Sequence, residues 1–302
     1  MAMKLNPSIN QYPLYFLLLI YFFVSCEVSN NKTIAPTQNE TSIPKVENRI
    51  QLKKLVETTL HKINPQISKF SHSFSIDSSK KYIYLTFDDG PQHGTVACFD
   101  LCKKLQVKST FFMVGLHASS HNLRNIVREI DDNYPLTLLA NHSISHAKNK
   151  YHNFYINDSA AVEDLFLAQK ILKIRLKIIR LPGSNSWVIN RRMRTEPLAK
   201  SVCKRMDSTG FNIIGWDVEW NFNPITVNPV QSADEMLEKV IQKFEHNHLF
   251  TANHLVLLMH DRMFRNSNYT DSLHKFISTL QKDTNYIFET VDHYPSLKPL
   301  KN

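Results

Sequence analysis

Short apolar runs alternate with helix-like segments along residues 80–295, and this alternation constrains the fold more than any other feature. Seven runs have the length and the β-branched and aromatic content of buried strands, at 82–87, 109–114, 136–140, 177–181, 212–217, 255–260 and 286–291. Helical periodicity lies between them, at about 94–106, 121–131, 158–173, 191–208, 232–246 and 270–283. Strands joined by crossover helices form a parallel sheet. The pattern predicts an α/β fold in which seven strands form a closed or nearly closed barrel, with a doubly wound open sheet as the alternative.

The first 25 residues have a different character. Lys4 precedes an apolar run over residues 14–24, which is too short to span a bilayer but is typical of a signal-peptide core. The run ends in Phe23-Val24-Ser25-Cys26, which resembles a bacterial lipobox. We therefore expect residues 1–25 to be a lipoprotein-type signal peptide and Cys26 to carry the lipid, with plain secretion as the alternative. The protein would then be exported and anchored to a membrane, facing the periplasm or the cell exterior.

The segments on either side of the barrel domain are short. Residues 26–45 are rich in Asn, Thr, Ser and Pro, which predicts a flexible tether. Residues 46–79 begin with apolar side chains at helical spacing, so we expect a helix packed outside the barrel and then a connector. The domain itself is expected at 80–295, followed by a tail at 296–302.

The net charge limits the expected binding partners, and the cysteine content limits the expected disulfides. The formal net charge of +9 favours anionic surroundings such as cell-wall polymers or lipid headgroups. The sequence contains no nucleic-acid-binding motif, so nucleic acid is not an expected partner, and we expect a monomer.

Cys98 and Cys102 lie one helical turn apart. Together with Cys203 they are expected to be buried thiols, although a disulfide to Cys203 remains open.

Polar clusters follow five of the seven predicted strands. They are Asp88-Asp89, the segment 141–146, the segment 180–183, the segment 217–220 and His260-Asp261. In α/β barrels the carboxyl ends of the strands meet at one rim, and ligands bind there. The fold class therefore predicts that all five clusters lie together.

His142 and His146 can bind one metal ion if their segment forms a helical turn. The chain contains 14 His, so a pair at this spacing can also consist of solvated or core histidines. A carboxylate from the first strand would complete a set of one Asp and two His with an open position, the ligand count of a catalytic zinc site. One oxygen and two nitrogens suit Zn²⁺, with Co²⁺ or Ni²⁺ as alternatives.

Five motifs in this order resemble those of the NodB-homology polysaccharide deacetylases, carbohydrate esterase family four. They are Thr86-Phe87-Asp88-Asp89-Gly90-Pro91, His142-Ser143-x-x-His146, Arg180-x-Pro182, Glu219-Trp220 and Leu258-x-His260. The resemblance covers roughly residues 80 to 295. It implies a distorted (β/α) barrel and the metal-dependent removal of acetyl groups from N-acetylated sugars, a hydrolysis of carbon–nitrogen bonds other than peptide bonds.

The resemblance also implies roles for the residues at the matching positions. The metal ligands would be Asp89, His142 and His146. Asp88 would be the base that deprotonates the attacking water, paired with Arg180, and His260 would be the acid that protonates the departing amine. The backbone N–H of Gly183 would be the second donor to the oxyanion.

Four further residues are expected to contact the substrate: Trp187, Trp220, Pro182 and Leu258. The two tryptophans are candidate platforms for stacking a sugar ring, and the alternative is that they serve only the core. The family more often has an aromatic residue after Arg-x-Pro, so Gly183 would leave one wall of the pocket more open.

The acidic residue before Trp220 departs from the family pattern. It is usually Asp and helps to set the pKa of the catalytic histidine, whereas here it is Glu219. Either the backbone compensates for the longer side chain, or Asp217 or Asp261 takes part of that role for His260.

The sequence therefore predicts a lipid-anchored, Zn²⁺-dependent deacetylase. Its substrate would be N-acetylglucosamine residues in a polysaccharide such as peptidoglycan, a chitin-like polymer or an exopolysaccharide. Two alternatives remain open: an O-acetyl esterase on acetylated glycans, and a lipoprotein that binds glycan without cleaving it.

Overall fold

Seven parallel strands form the centre of the fold in the computed structural model, which describes residues 75–298. The described residues contain ten strands, which are, in chain order, β1 Lys81–Gly90, β2 Ser109–Met113, β3 Thr137–Asn141, β4 Ile178–Ile179, β5 Trp187–Ile189, β6 Arg192–Arg194, β7 Asn212–Ile213, β8 Val218–Glu219, β9 His254–His260 and β10 Tyr286–Phe288. The seven central strands are hydrogen-bonded in the order β7-β4-β3-β2-β1-β9-β8. Because β7 and β8 follow each other in the chain but end this order, the strands run around a barrel that is open between them. The predicted distorted (β/α)7-type barrel is confirmed.

The helices connect these strands and lie close to where the periodicity predicts them. They are α1 Thr95–Leu105, α2 His121–Asp132, α3 Tyr151–Ile156, α4 Asp158–Ile171, α5 Lys200–Ser208, α6 Ala233–Glu245 and α7 Ser267–Leu280. The N-terminus of α6 is fixed by a capping box between Ser232 and Glu235. The short α3 was not predicted. The helix predicted at 191–208 begins only at Lys200, because its first part forms β6.

One predicted strand is placed wrongly, and three short strands were not predicted. The run 286–291 does not complete the barrel, since β10 pairs only with the first three residues of β1, Lys81 to Ile83. The seventh barrel strand is instead β8, which pairs in parallel with β9. In addition, β5 and β6 form an antiparallel hairpin that extends the sheet beyond β7. Strands of two or three residues leave too short an apolar pattern to be recognised from sequence.

The alternation of side chains along β1 decides what reaches the barrel interior. Ile83, Leu85 and Phe87 pack in the core layer that includes residues of α1 and α7. Tyr82 and Tyr84 belong to a second cluster built from the inner faces of β2, β3, β4 and β9. Because the side chains of a strand alternate between its two faces, the residues at 86 and 88 also point into the barrel.

The three cysteines within the described residues are buried, free thiols, as expected. Burial raises the pKa of the Cys98 thiol well above its ordinary value and that of Cys102 to about 12, so neither forms a reactive thiolate near neutral pH. The expected signal peptide, the acylated Cys26, the tether and the N-terminal helix lie outside the described residues. Among residues 75–298, no helix combines the length and the apolar character needed to cross a membrane.

Candidate metal and catalytic site

The two adjacent carboxylates at the end of β1 both face one cavity of about 370 Å³. Asp88 points into the barrel because it follows the alternation of the strand. Asp89 reaches the same cavity because the pairing of β1 with β2 shifts register between Asp88 and Gly90, and because Asp89 has a left-handed backbone with φ of 72°. A regular strand would send these neighbouring side chains to opposite faces. Both are almost fully buried.

The two histidines of the His-x-x-x-His motif meet although their segment does not form the helical turn that we named as the condition for it. Ser143 and His146 have left-handed backbones, with φ of 73° and 49°, and a 3₁₀ helix begins only at His146. Nevertheless both rings converge on Asp89, whose Oδ1 lies 3.5 Å from His142 Nε2 and 3.0 Å from His146 Nε2. Left-handed conformations are uncommon for residues other than glycine, and they concentrate at functional sites.

This loop is held by the carboxylate of Asp164, which no sequence pattern singles out. Asp164 in α4 accepts hydrogen bonds from the backbone N–H groups of Ile144 at 2.8 Å and Ser145 at 3.3 Å. The Ser143 hydroxyl oxygen accepts the N–H of His146 at 2.9 Å. The loop is therefore set in place before any ligand binds.

The donor set fits a divalent metal ion. Nδ1 of His142 donates to the carbonyl of Arg180 at 2.9 Å, so the proton is on Nδ1 and the lone pair of Nε2 faces Asp89. Asp89 Oδ1 is buried and has no hydrogen-bond partner among the described residues. One ligand atom from each of Asp89, His142 and His146 lies within 4.8 Å of the others. A carboxylate oxygen and two imidazole nitrogens form a donor set that suits Zn²⁺.

The electrostatics of these three residues favour a positive charge between them. Burial would raise the pKa of Asp89, but the imidazoles of His142 and His146 outweigh it and hold that pKa well below its usual range. Burial lowers the pKa of His142, while the Asp88 and Asp89 carboxylates raise it by more, so the net direction is upward. The buried carboxylate therefore attracts a cation, whether a proton or a metal ion.

Arg180 and Asp88 form an ion pair inside the barrel. Arg180 is fully buried and donates to Asp88 Oδ1 at 2.8 Å and to the hydroxyl of Thr86 at 2.7 Å. Its remaining N–H groups reach the backbone carbonyls of Ile214 at 3.1 Å and Gly215 at 2.8 Å. Burial lowers the pKa of Arg180, and the attraction of Asp88 opposes that shift. The guanidinium lies behind Asp88 and does not line the cavity.

His260 faces the predicted metal ligands from the neighbouring strand. It ends β9 directly opposite Asp88 in the strand register, and its Nε2 lies 3.9 Å from Asp89 Oδ2. Burial lowers the pKa of His260 by more than the Asp89 carboxylate raises it. A lowered pKa makes the imidazolium a stronger acid.

The structure corrects the predicted carboxylate partner of His260. Nδ1 of His260 is buried and has no hydrogen-bond partner among residues 75–298. Burial and the Asp88 carboxylate raise the pKa of Glu219, and Arg180 and Trp216 only partly oppose this shift. Asp217 instead accepts two backbone N–H groups, and the Asp261 carboxylate is bound by Gln92 and Thr95, so neither replaces it.

The sugar-stacking role predicted for two tryptophans is wrong. Trp187 and Trp220 are both 0% exposed. Trp187 stacks on Phe250 with ring centroids 4.3 Å apart, and Trp220 packs edge-on against Phe264 at 5.5 Å. Fully buried rings cannot contact a sugar. The burial of Trp187 comes from Phe250, which is distant in the chain, so the residues next to Trp187 do not reveal it.

Most of the other predicted residues do line the cavity. Those present are Asp88, Asp89, His142, His146, Gly183, Glu219, Leu258 and His260. Pro182 is buried outside this lining, and its carbonyl accepts a hydrogen bond from the Tyr155 hydroxyl at 2.6 Å. The cavity volume falls in the range of small-molecule sites.

Two residues that sequence reasoning missed hold Asp89 in place. Arg262 donates to Asp89 Oδ2 at 2.9 Å, which leaves Oδ1 for the two imidazoles. His117 Nδ1 donates to the backbone carbonyl of Asp89 at 2.6 Å. The position of Arg262 two residues after His260 is a weak signal that could have suggested it. Nothing in the sequence around His117 indicates a role.

The expected open wall at Gly183 is also corrected. Gly183 has a φ of 62° and lies beside the ring of Tyr151, so that a Cβ at position 183 would be 2.8 Å from two atoms of that ring. Tyr151 therefore occupies the space where an aromatic side chain at 183 would begin. The sequence could not show this, because the two residues are far apart in the chain.

Comparison with known proteins supports the same family. Residues 75–200 match a family model described as polysaccharide deacetylase. The chain is similar to a chitin disaccharide deacetylase from Vibrio alginolyticus, with 22% identity over 81% of this chain and 78% of that protein. It is also similar to a peptidoglycan-N-acetylglucosamine deacetylase from Bacillus cereus, with 26% identity over 80% of this chain and 76% of that protein.

The fold has a solved counterpart. The catalytic domain of a peptidoglycan N-acetylglucosamine deacetylase from Eubacterium rectale superposes with a TM-score of 0.54 and 24% identity, covering 77% of this chain and 99% of that one. At this identity the likeness concerns the fold alone. The match of residues 75–200 to the family model, the similar deacetylases and the five ordered motifs support a NodB-homology polysaccharide deacetylase of carbohydrate esterase family four.

Proposed function

We propose that this protein is a metal-dependent deacetylase that hydrolyses the N-acetyl group of N-acetylglucosamine residues in a polysaccharide. One observation carries the proposal. Asp89, His142 and His146 converge in a cavity that also receives Asp88 and His260. The two similar proteins named above, which are deacetylases of chitin disaccharide and of peptidoglycan, support the choice of an N-acetylated glycan.

The amide bond needs help at both of its ends. A bound Zn²⁺ would act as a Lewis acid toward the acetyl carbonyl. Asp88 Oδ1 is taken by Arg180, while Oδ2 lies 3.6 Å from His142 Nε2 and faces the three predicted ligands. Asp88 Oδ2 is thus placed to accept the proton of the attacking water. General-base help of this kind contributes on the order of 10²–10⁴-fold.

Other residues of the cavity are placed to donate a proton to the departing amine and a hydrogen bond to the oxyanion. His260 Nε2 is placed to protonate the amine, because His260 faces the predicted ligands across Asp89. The backbone N–H of Gly183 has no acceptor within the described residues and lines the same cavity. It is therefore available as a donor to the oxyanion.

Amine release from acetylated glycans tests the proposal. Protein loaded with Zn²⁺ or Co²⁺ is incubated with chitin oligomers and with peptidoglycan, and free amines and acetate are measured. We expect release with metal, none after chelation, and a loss of at least about 10²-fold in Asp88→Asn, since the base is removed. Release that is unchanged by chelation or by Asp88→Asn would contradict the proposal.

An O-acetyl esterase is a second candidate, favoured by the unpartnered Nδ1 of His260. Without a carboxylate partner the imidazolium is less well oriented, and ester cleavage depends less on a strong acid because an alcohol leaves more easily than an amine. Acetate release from an acetylated xylan and from a chitin oligomer should be compared on one preparation. A preference for the N-acetyl substrate supports deacetylation of the amine, and the opposite preference supports the esterase.

We also propose that the chain is exported and anchored through a lipid on Cys26. The support is the lipobox-like segment and the apolar run before it. Cells expressing the full chain are labelled with a radioactive fatty acid, and the protein is recovered from the membrane fraction. Label in the wild type and none in Cys26→Ala is the expected result. Equal label in both, or label in neither, contradicts the anchor.

A further inference from the structure

Tyr151 lines the cavity that holds the predicted metal ligands and Gly183. It begins α3, lines the cavity together with Gly183 and His146, and stands edge-on to the His146 ring with centroids 5.7 Å apart. A Cβ on Gly183 would meet two atoms of the Tyr151 ring at 2.8 Å and a third at 3.0 Å. The ring is therefore packed against the backbone of the turn that contains Gly183, whose N–H has no acceptor within the described residues.

We propose that Tyr151 forms the aromatic wall that contacts the acetyl methyl group and limits the size of the acyl group that the site accepts. The inference rests on the proposed function. The methyl carbon and the carbonyl oxygen of an acetyl group are bonded to the same carbon. A carbonyl oxygen that accepts from the Gly183 N–H thus brings its methyl group close to that turn. The ring packed on the turn is the apolar surface that this methyl group meets.

The local structure allows the wall to be removed without losing α3. The helix is anchored by Tyr155, which is 4% exposed and donates its hydroxyl to the carbonyl of Pro182. Tyr151 is only half-buried. Phe154 in the same helix is also half-buried and packs on the ring of Tyr155, but it does not line the cavity. Phe154→Ala is therefore a matched control for the loss of an aromatic ring from α3.

The first test measures acyl selectivity. Tyr151→Ala, Tyr151→Phe and Phe154→Ala are compared with the wild type on N-acetyl and N-propionyl chitooligosaccharides. Because one methylene in an apolar pocket changes kcat/KM by about 10-fold or more, we expect Tyr151→Ala to shift the propionyl-to-acetyl ratio upward by about that factor. Tyr151→Phe and Phe154→Ala should keep the wild-type ratio. An unchanged ratio in Tyr151→Ala, or an equal shift in Phe154→Ala, would overturn the proposal.

A second test reads binding alone and separates this proposal from the proposed function. Zn²⁺-loaded Asp88→Asn and Asp88→Asn/Tyr151→Ala are titrated with tri-N-acetylchitotriose by calorimetry. We expect the double variant to bind several-fold more weakly, about the effect of losing one aromatic contact. Binding that weakens in this way while the wild type releases no acetate contradicts only the proposed function. Equal binding by the two proteins overturns the Tyr151 wall.

Discussion

At the scale of single residues, the polar atoms of Asp89 each have a different partner. Its Oδ2 is held by Arg262 and its backbone carbonyl by His117, while Oδ1 is left to the imidazoles of His142 and His146. A carboxylate that is already oriented loses little freedom when it binds a metal ion. The left-handed backbone of Asp89 is the local cost of this arrangement.

At this scale we predict the effect of removing the buried guanidinium of Arg180 on the stability of the fold. Arg180→Leu leaves Asp88 buried without its partner, so we expect the free energy of unfolding to fall by about 3–5 kcal/mol. Urea unfolding at pH 7 measures it. The control is Arg205→Leu, which removes one side of the more exposed pair with Asp158 and should lower the stability far less, because solvent screens that pair. The double variant Arg180→Leu/Asp88→Asn should recover part of the loss, because the unpaired charge is gone. Equal losses for the buried and the exposed pair would contradict this interpretation.

At the scale of elements, the functional side chains at the ends of β1, β3 and β9 reach the cavity through different backbone features. β1 turns two consecutive carboxylates into the cavity through a shift in its pairing with β2. The loop after β3 brings two histidines together through left-handed residues and through Asp164 of α4. β9 places His260 simply by ending opposite Asp88. The site therefore depends on the way strands end as much as on the strands themselves.

Asp164 gives the prediction at the element scale. Asp164→Ala removes the acceptor for two backbone N–H groups of the histidine loop, so the loop loses its orientation. We expect the affinity for Zn²⁺ to fall by about 10–100-fold, as for other residues that orient metal ligands. Competition with a chromophoric chelator measures the affinity.

The neighbours of this position provide the controls. Asp164→Asn keeps an acceptor oxygen and should retain most of the affinity. Glu163→Ala removes an exposed carboxylate from the same helix and should leave the affinity unchanged. If Glu163→Ala weakens binding as much as Asp164→Ala does, the effect belongs to the charge of the helix and the orienting role is wrong.

At the scale of the whole molecule, the barrel rim is joined to the outer helix layer by a buried carboxyl group. Asp261 follows β9 and bonds Gln92 and Thr95 at the start of α1. Complete burial raises the pKa of Asp261 to about 8, although the hydrogen bonds from Thr95 and Gln92 oppose the shift. The folded protein thus holds this proton more tightly than the unfolded chain does.

The pH dependence of unfolding tests this linkage. Because the pKa of Asp261 in the folded state is raised, its contribution to stability is present below about pH 4 and is lost as the pH rises toward 8. We expect the wild type to lose on the order of a few kcal/mol between pH 5 and pH 8.5 relative to Asp261→Asn, which cannot ionise. Urea unfolding of both proteins at the two pH values gives this difference. A stability difference between the two proteins that does not change with pH would show that Asp261 is not linked to folding in this way.

The sequence by itself determined the barrel and the positions that approach its rim. Apolar runs of strand length alternating with amphipathic segments leave few folds other than a parallel sheet with crossover helices, and such sheets bring the ends of their strands together. For that reason the sequence alone predicts that Asp88, Asp89 and His260 lie near one another. It does not predict the short strand β8, and it wrongly assigns the β10 segment to the barrel, because two or three residues do not make a recognisable pattern.

Only the tertiary structure decided which side chains touch. The burial of Trp187 depends on Phe250, the histidine loop depends on Asp164, and the wall at Gly183 depends on Tyr151. In each pair the partners are distant in the chain, and no local pattern of residues encodes a contact between them. Periodicity reports the face on which a residue lies, whereas packing and hydrogen-bond geometry depend on which elements the fold brings against that face.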